Sequence, residues 1–272
     1  DGTTVHVALY EPRTPVKALF LMLPALGVKA GFYKRVAEGL AAAGIATALF
    51  EQRGHGESTC LPAKGVTVGY NQYLDDDLPL VIDWMRRRFD GKPFFLGGHS
   101  LGAHFSNYIA AEQGADIQGI IHMACVFPYY GLYPRKQALL LRFLCALIPT
   151  VTWLLGYYPG QMFGFGGKEH RQVMLDWRDW ATTGCYDFGT RRGVEQKMAA
   201  YRGKLLSISF ENDELASAPA LHKPHSVMSG ADVSCVHLTQ KEQGKHIGHF
   251  DWARRPAGVV KTLDDWIDTC LT

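Results

Sequence analysis

The pentapeptide Gly98-His99-Ser100-Leu101-Gly102 constrains the fold more than any other feature of the sequence. An apolar run at residues 94–96 precedes it, and a helix-like stretch at 101–113 overlaps its end. A strand that turns sharply into a helix forces the central residue into a strained conformation, and the flanking glycines make room where a Cβ would clash. The Ser100 hydroxyl is then exposed at a helix N-terminus, where the helix dipole favours negative charge. Ser100 is therefore a candidate nucleophile.

The rest of the chain alternates apolar runs with helix-like segments, which predicts an α/β fold with a mostly parallel sheet and helices on both faces. The continuous apolar run at 18–23 is typical of a strand buried on both faces, and 45–50 is predicted to be the next buried strand. The other predicted elements are strands at 5–10, 93–96, 117–124, 205–210 and 233–238 and helices at 32–43, 73–89, 101–113 and 256–270.

Residues 127–193 break this alternation. They are rich in Tyr, Trp, Leu, Gly and Pro, show no clear strand, and lie between two predicted core strands. A long crossover would explain them, but a run of this length without a role in the sheet is more often a lid. We therefore predict a cap of short helices at 127–193, inserted after the sixth core strand, and an α/β core formed by 1–126 and 194–272.

Composition excludes several classes of protein. With 47% hydrophobic and 20% charged residues, the chain is globular and not disordered. A net charge of +2 and the lack of a basic stripe or P-loop predict no nucleic-acid partner. The six cysteines contain no CxxC pair, which favours a reducing, cytoplasmic compartment. Cys125 and Cys235 lie in apolar runs and are predicted to be buried.

The most apolar region of the sequence is residues 138–158. Arg142 and Pro149 interrupt it, and the uninterrupted stretches are far shorter than the roughly 20 residues that span a bilayer. We predict no transmembrane segment, while transient contact of the cap with lipid remains open.

A serine nucleophile needs a base, which follows late in the chain after a carboxylate in this topology. His249 lies in Gly248-His249-Phe250, between the last predicted strand and the final helix, and is our candidate; His246 is the alternative. Asp213 follows the strand at 205–210 and is the candidate carboxylate that orients the histidine. Glu211 and Glu214 are its alternatives.

Backbone donors complete the predicted site. The N–H of Leu101 and an N–H in the loop Pro24-Ala25-Leu26-Gly27 should form an oxyanion hole, with Leu26 as the second donor. No cofactor is predicted. The histidine pairs 222/225 and 246/249 do not place both rings on one helical face and have no acidic third ligand, so no metal site is predicted.

With these residues in place, the chain resembles the α/β-hydrolases of the serine aminopeptidase, monoglyceride lipase and lysophospholipase group. The resemblance covers nearly the whole chain outside the cap, and the cap itself is similar to that of a bacterial branch of the group. It implies catalytic roles for Ser100, Asp213 and His249. Its marks are Gly31-Phe32-Tyr33, Gln52-Arg53-Gly54-His55-Gly56-Glu57-Ser58, the Ser100 pentapeptide, Asp213, Gly248-His249-Phe250 and, in the cap, residues 176–180 followed by Tyr186.

Two positions depart from the pattern of the group. The oxyanion loop begins with Pro24-Ala25 instead of His-Gly, and Glu51 replaces an aspartate before the Arg-Gly turn. The first departure makes the shape of the loop around Leu26 an open question.

The predicted activity is hydrolysis of a small-molecule carboxylic ester through an acyl-enzyme. The many aromatic and leucine residues of the cap lead us to expect a hydrophobic acyl group. A thioesterase or acyltransferase would use the same residues. An aminopeptidase would need an acidic cap residue to bind the substrate amine, for which Glu169, Asp176 and Asp179 are available. A non-catalytic binding protein on this fold is the alternative from another class.

Overall fold

The computed structural model describes residues 2–272, apart from the side chains at positions 113 and 115. Within this range the chain forms a seven-stranded sheet and a separate two-stranded hairpin. The strands are β1 (Val7–Tyr10), β2 (Ala18–Leu23), β3 (Ile45–Phe50), β4 (Phe94–His99), β5 (Gly119–Met123), β6 (Tyr157–Pro159), β7 (Lys168–His170), β8 (Lys204–Phe210) and β9 (Asp232–Leu238). The sheet order is β1-β3-β2-β4-β5-β8-β9, and only the β1–β3 pair is antiparallel.

Helices connect the strands and cover both faces of the sheet. They are α1 (Lys34–Ala42), α2 (Leu78–Arg88), α3 (Leu101–Gln113), α4 (Arg135–Leu155), α5 (Gly160–Phe163), α6 (Arg171–Thr183), α7 (Val194–Ala199), α8 (Ala218–Ser226), α9 (Gln240–Gln243) and α10 (Ala257–Leu271). Short 3-10 segments lie at Ala30–Tyr33, Gly114–Asp116, Tyr130–Leu132 and Asp251–Arg254, and a π-helical segment, Gln72–Asp77, precedes α2.

Two hydrophobic cores lie on opposite faces of the sheet. Alternate residues of β2 enter one core or the other, and both β2 and β3 are buried along their whole length. Helices α2 and α3 close the first core, and α1 and α10 close the second. The predicted parallel sheet with helices on both faces is therefore confirmed. Strands β2 and β3 are apolar apart from Thr47, whose hydroxyl donates to the Ile45 carbonyl at 3.2 Å.

The predicted elements agree with the structure most closely where burial is complete. Strands β2 and β3 and helix α3 have the predicted bounds. Strand β4, however, continues to His99, whereas its prediction ended before Gly97 and Gly98. Glycine is needed at position 97 because a Cβ there would overlap the Ile121 carbonyl of the neighbouring strand. Without side chains at these positions, β4 can continue close to its neighbour.

Between β5 and β8 the chain leaves the sheet, as predicted, but its internal structure differs from the prediction. The segment contains the 21-residue helix α4 and the β6–β7 hairpin, where short helices and no strand were expected. The segment was predicted to follow the sixth core strand. It follows the fifth, β5, because one strand, β1, precedes the parallel strands β2 to β5 in the described chain.

Helix α4 continues through Pro149, which should interrupt it. Proline has no N–H, so the carbonyl of Cys145 loses its partner within the helix. The Nε of Arg178, on α6, donates to that carbonyl at 2.9 Å. A side chain from the neighbouring helix thus replaces the missing backbone hydrogen bond and allows α4 to stay long.

Replacing Arg178 with methionine should lower the free energy of unfolding by about 1–2 kcal/mol, because the Cys145 carbonyl is left unpaired in a mostly buried position. In a Pro149→Ala background the new N–H supplies the lost donor, so the same substitution should cost clearly less. Urea unfolding of the four proteins measures both effects. An equal loss in the two backgrounds would contradict the role given to Arg178.

The outward face of α4 is apolar. By length and composition alone the helix could cross a membrane, with a mean hydropathy of 2.0 over its most apolar window, only 17% of which is buried. The prediction that Arg142 and Pro149 divide this region was wrong for the helix, which runs through both. Its exposed large apolar residues are Leu139, Leu140, Phe143, Trp153, Leu154 and Leu155.

Only one of the two cysteines predicted to be buried is buried in the structure. Cys125 follows β5 and is buried, whereas Cys235 is exposed. The second prediction was wrong because β9 is the edge strand of the sheet, and most of its side chains face solvent.

Candidate active site

Ser100 lies at the turn between β4 and α3, with φ 50° and ψ −111°. Few residues other than glycine adopt positive φ, so the strained turn predicted from the pentapeptide is present. The Ser100 N–H donates to the Met123 carbonyl at 3.0 Å, which fixes the turn to the end of β5.

The two glycines that flank Ser100 allow α3 to start against β2. A Cβ at Gly98 would lie 2.5 Å from the Leu23 carbonyl oxygen, and one at Gly102 would overlap the same carbonyl. Larger residues at either position would push the helix away from the sheet and move Ser100 with it.

Asp213 and His249 come together from loops that are 36 residues apart in sequence. Asp213 follows β8, His249 follows β9 and α9, and His249 Nδ1 lies 2.9 Å from Asp213 Oδ2 and 3.1 Å from Oδ1. Both side chains are buried, at 6% exposure for His249 and 2% for Asp213. Trp252 Nε1 donates to the His249 carbonyl at 2.9 Å and holds the loop in place.

The alternatives to this pair have other positions. Glu211 Oε2 accepts the N–H of Gln240, and the Glu214 carbonyl accepts Gln137 Nε2. His246 is half-buried and forms no ion pair with a carboxylate among the described residues. Of the histidines and carboxylates proposed from sequence, the structure pairs His249 with Asp213.

Ser100 and His249 line one cavity of about 640 Å³. Within residues 2–272, Ser100 Oγ and His249 form no hydrogen bond, which is common in enzymes before substrate binds. Most of the wall comes from apolar side chains of the core and of the segment between β5 and β8, including Leu26, Leu141, Phe165, Trp177, Trp180 and Ile247.

Leu26 and Leu101 also line this cavity. Among the described residues, neither main-chain N–H donates to a protein acceptor, so both are available to a ligand. Leu101 is the first residue of α3, whose N-terminal N–H groups have no partner inside the helix. The two residues proposed to supply the oxyanion hole thus both line the cavity that contains Ser100.

A hydrogen-bonded chain that sequence reasoning missed connects the oxyanion loop to the turn at Ser100. The N–H of Ala25 donates to the Tyr33 hydroxyl at 3.1 Å, and that hydroxyl lies 2.8 Å from Nδ1 of His99. Burial lowers the pKa of His99 well below its usual range, so the ring is neutral and its Nδ1 can accept the tyrosine proton. Tyr33 belonged to a segment noted only for its resemblance, and no local pattern predicts its partners.

Glu51, the unexplained departure, has a position at the far end of the same loop. Its Oε1 accepts the Ala30 N–H at 3.0 Å, and a Cβ at Gly56 would overlap its Oε2. Burial raises the pKa of the carboxyl group, although the Ala30 hydrogen bond and the nearby His55 oppose the rise. The Glu51 side chain, which is longer than the aspartate it replaces, thus reaches the N–H of Ala30, the first residue of the 3-10 segment after the loop.

The three acidic residues considered for an amine-binding role are engaged elsewhere. Glu169 contacts His55 at 3.2 Å, Asp176 Oδ2 accepts the Tyr70 N–H at 2.8 Å, and Asp179 Oδ2 accepts the Gly189 N–H at 3.1 Å. Burial raises the pKa of Asp176 to about 6. None of the three lines the cavity at Ser100.

Comparison with known proteins agrees with this architecture. The family model described as serine aminopeptidase, S33, matches residues 14–175, which is more than half of the chain. A monoglyceride lipase homolog of monkeypox virus is 29% identical over 98% of this chain and 95% of its own length.

Two solved structures have the same fold at low sequence identity. The monoglyceride lipase of Saccharomyces cerevisiae, a soluble variant in complex with a substrate analog, superposes with a TM-score of 0.72 at 15% identity, covering 100% of this chain and 94% of the other. A thermostable carboxyl esterase from Bacillus coagulans gives 0.71 at 12% identity, covering 100% and 96%. The predicted α/β-hydrolase fold is confirmed, and the chain belongs to the serine aminopeptidase S33 family of serine hydrolases.

Proposed function

We propose that Ser100, His249 and Asp213 form a catalytic triad that hydrolyses a carboxylic ester. The observation that carries the proposal is the buried Asp213–His249 pair, which opens onto the same cavity as the strained Ser100 turn. A carboxylate at Nδ1 leaves Nε2 of His249 as the proton acceptor and stabilises the imidazolium that forms.

The reaction proceeds in two steps. Ser100 Oγ attacks the ester carbonyl and His249 takes its proton, while the N–H groups of Leu26 and Leu101 stabilise the negative oxygen. His249 then protonates the departing alcohol, which leaves an acyl-Ser100 ester. A water molecule activated by His249 attacks this ester and releases the acid.

The acyl group of the substrate is hydrophobic in this proposal. Trp177, Trp180 and Phe165 present apolar surface to the cavity that contains Ser100, and burial of each acyl methylene against such a wall contributes about 0.8 kcal/mol. The monkeypox relative and the yeast structure are described as monoglyceride lipases, which is consistent with an ester of this kind.

Residues 127–193 act as a lid in this proposal, over a core of 1–126 and 194–272. Leu140 and Leu141 of α4 line the cavity, and the same helix carries the exposed apolar face. A helix that contacts both the cavity and the outside is suited to transient contact with lipid, from which a hydrophobic ester would enter.

An aminopeptidase is less well supported, because none of the three acidic cap residues considered for amine binding lines the cavity. The acidic residues that do line it, Glu214 and Asp251, lie outside the cap. A thioesterase or acyltransferase would use the same triad. A non-catalytic binding protein would not react with an active-site phosphonate, whereas the proposed triad should be labelled at Ser100.

Nitrophenyl esters of about two to sixteen carbons test the proposed substrate class. We expect kcat/KM to rise from acetyl to longer chains and to pass through an optimum that reflects the cavity of about 640 Å³. A strong preference for acetyl esters would contradict the hydrophobic acyl group. If every ester is inert, matched thioesters and peptides should be assayed next, since a phosphonate label without ester turnover would indicate one of those substrates.

A further inference from the structure

A buried acid–histidine pair lies outside the proposed triad, where the lid segment meets the core. His55 belongs to the loop after β3, and Glu169 belongs to β7; His55 Nε2 lies 3.2 Å from Glu169 Oε1. Their side chains are 6% and 1% exposed. Buried charges are rare unless they are paired, and removal of one partner leaves the other uncompensated.

The surroundings of His55 favour its protonated form. Burial lowers the pKa of His55, but the hydrogen bond and the charge of Glu169, with further contributions from the Arg53 carbonyl and from Glu51, outweigh it and leave the pKa above its usual value. The remaining titratable neighbour, His170, has its pKa lowered to about 4 by burial and is neutral.

Glu169 also contacts the oxyanion loop. Its Oε1 accepts the Gly167 N–H at 2.7 Å, so the carboxylate holds the turn of residues 166–167 together with the Gly160 N–H, which donates to the Gly167 carbonyl at 2.6 Å. That turn packs directly on Gly27, where φ is +74° and an added Cβ would overlap Gly167 N and lie 2.9 Å from Glu169 Oε1. A residue larger than glycine at position 27 would not fit between the loop and the lid turn. Gly27 directly follows Leu26 in the chain.

Three contacts from outside the loop therefore hold this part of the backbone. Tyr33 binds Ala25 at the start of the loop, and Glu51 binds Ala30 beyond its end. Between them, the Val28 N–H donates to the Ala25 carbonyl at 3.1 Å within the loop, and the lid turn at 166–167 packs on Gly27 from outside it. The contact with the lid turn is the one adjacent to the proposed donor Leu26.

We propose that His55 and Glu169 are positioning residues, which clamp the lid turn 166–167 onto Gly27 and so aim the Leu26 N–H at the developing oxyanion. This inference rests on the proposed function. The pair touches no reacting atom, but a misplaced donor loses most of its value in the transition state, while ground-state binding of the substrate is left intact.

The test uses Glu169→Gln, His55→Gln and the double variant in the full chain. Each single substitution removes one partner of the charge-assisted contact between His55 Nε2 and Glu169 Oε1, and the side chain at position 169 should then no longer be held against Gly167. We expect each single variant to lose about tenfold in kcat with little change in KM, and the double variant to be no worse than either single variant. Affinity for a trifluoromethyl ketone should fall by about the same factor. Ser100 Oγ bonds to its carbonyl carbon, the carbonyl oxygen becomes the oxyanion, and His249 takes the serine proton.

Glu57→Gln is the matched control. Glu57 lies in the same loop as His55 and forms an exposed contact with His6 at 3.5 Å, so its loss should leave kcat and ketone affinity unchanged. Circular dichroism and thermal unfolding show whether each variant is folded.

The pH dependence of stability gives a further readout. A histidine with a raised pKa contributes stability below its usual pKa of about 6.5, and this contribution is lost as pH rises through the raised value. The difference in Tm between wild type and Glu169→Gln should therefore narrow toward alkaline pH. The groups that face His55 and affect its titration are Glu169, Glu51 and the Arg53 residue, together with His170, whose pKa burial lowers to about 4.

The outcomes separate this inference from the proposed function. If phosphonate labels wild type at Ser100 and folded Glu169→Gln keeps full kcat and ketone affinity, the positioning role is overturned and the triad stands. A uniform rise in KM with unchanged kcat would also overturn it, because that result indicates a role in substrate binding. If wild type reacts with neither phosphonate nor ketone, both proposals fail together.

Discussion

Replacing Ser100 with alanine is expected to reduce kcat for ester hydrolysis by about 10⁶-fold, because no other group can form the acyl-enzyme. The fold should be unaffected. Alanine is smaller than serine and must adopt the same positive φ, a strain that the native turn already carries. Hydrolysis of the best nitrophenyl ester, with active-site titration of the enzyme, measures the loss.

Ser106→Ala is the matched control for this prediction. Ser106 is buried on the same helix, its Oγ donates to the Ala103 carbonyl, and it does not line the cavity. It should lose a little stability and no activity. Residual hydrolysis in Ser100→Ala comparable to wild type would exclude Ser100 as the nucleophile and with it the proposed mechanism.

The second large effect is expected for Asp213→Asn, which should lower kcat by about 10⁴-fold. An amide at this position cannot stabilise the imidazolium, and it favours the wrong tautomer of His249 because its NH₂ group donates to Nδ1. The loss should appear in kcat far more than in KM, since Asp213 does not line the cavity that would bind the substrate. Steady-state kinetics separates the two parameters.

Two neighbouring substitutions distinguish this role from general effects on the loops. Glu211→Gln keeps its acceptor for the Gln240 N–H, and His246→Gln changes a half-buried residue, so both should retain near-normal kcat. If either variant lost as much activity as Asp213→Asn, the pairing proposed here would be wrong, and the carboxylate or the base would have to be reassigned.

Local patterns were sufficient for much of the core. The mostly apolar stretches of β2 and β3 predicted buried strands with the observed bounds, because a strand covered on both faces is rich in apolar residues over its length. The turn at Ser100 was also visible in the sequence, since its glycines are required by backbone contacts that any such strand–helix junction makes. Asp213 and His249 were found from chain order, which fixes only the loops in which they lie.

Other features depended on contacts between distant residues. The length of α4 could not be predicted, because Pro149 argues for a break and only Arg178, from another helix, supplies the replacement donor. Cys235 was assigned to the core because the strand pattern does not reveal which strand lies at the edge of the sheet. The hairpin of β6 and β7 has only three residues in each strand, which is too short for a periodic pattern.

The sequence by itself determined the α/β core, the turn that exposes Ser100 and the chain order of the candidate triad, because each depends on hydrophobic periodicity and local backbone geometry. Only the tertiary structure decided how the oxyanion loop is held. Tyr33 with His99, Glu51 with Ala30, and His55 with Glu169 are pairs 21 to 114 residues apart. A single buried polar residue carries no record of its partner in the sequence, since the hydrogen bond that offsets its burial forms only when the folded chain brings the two groups together.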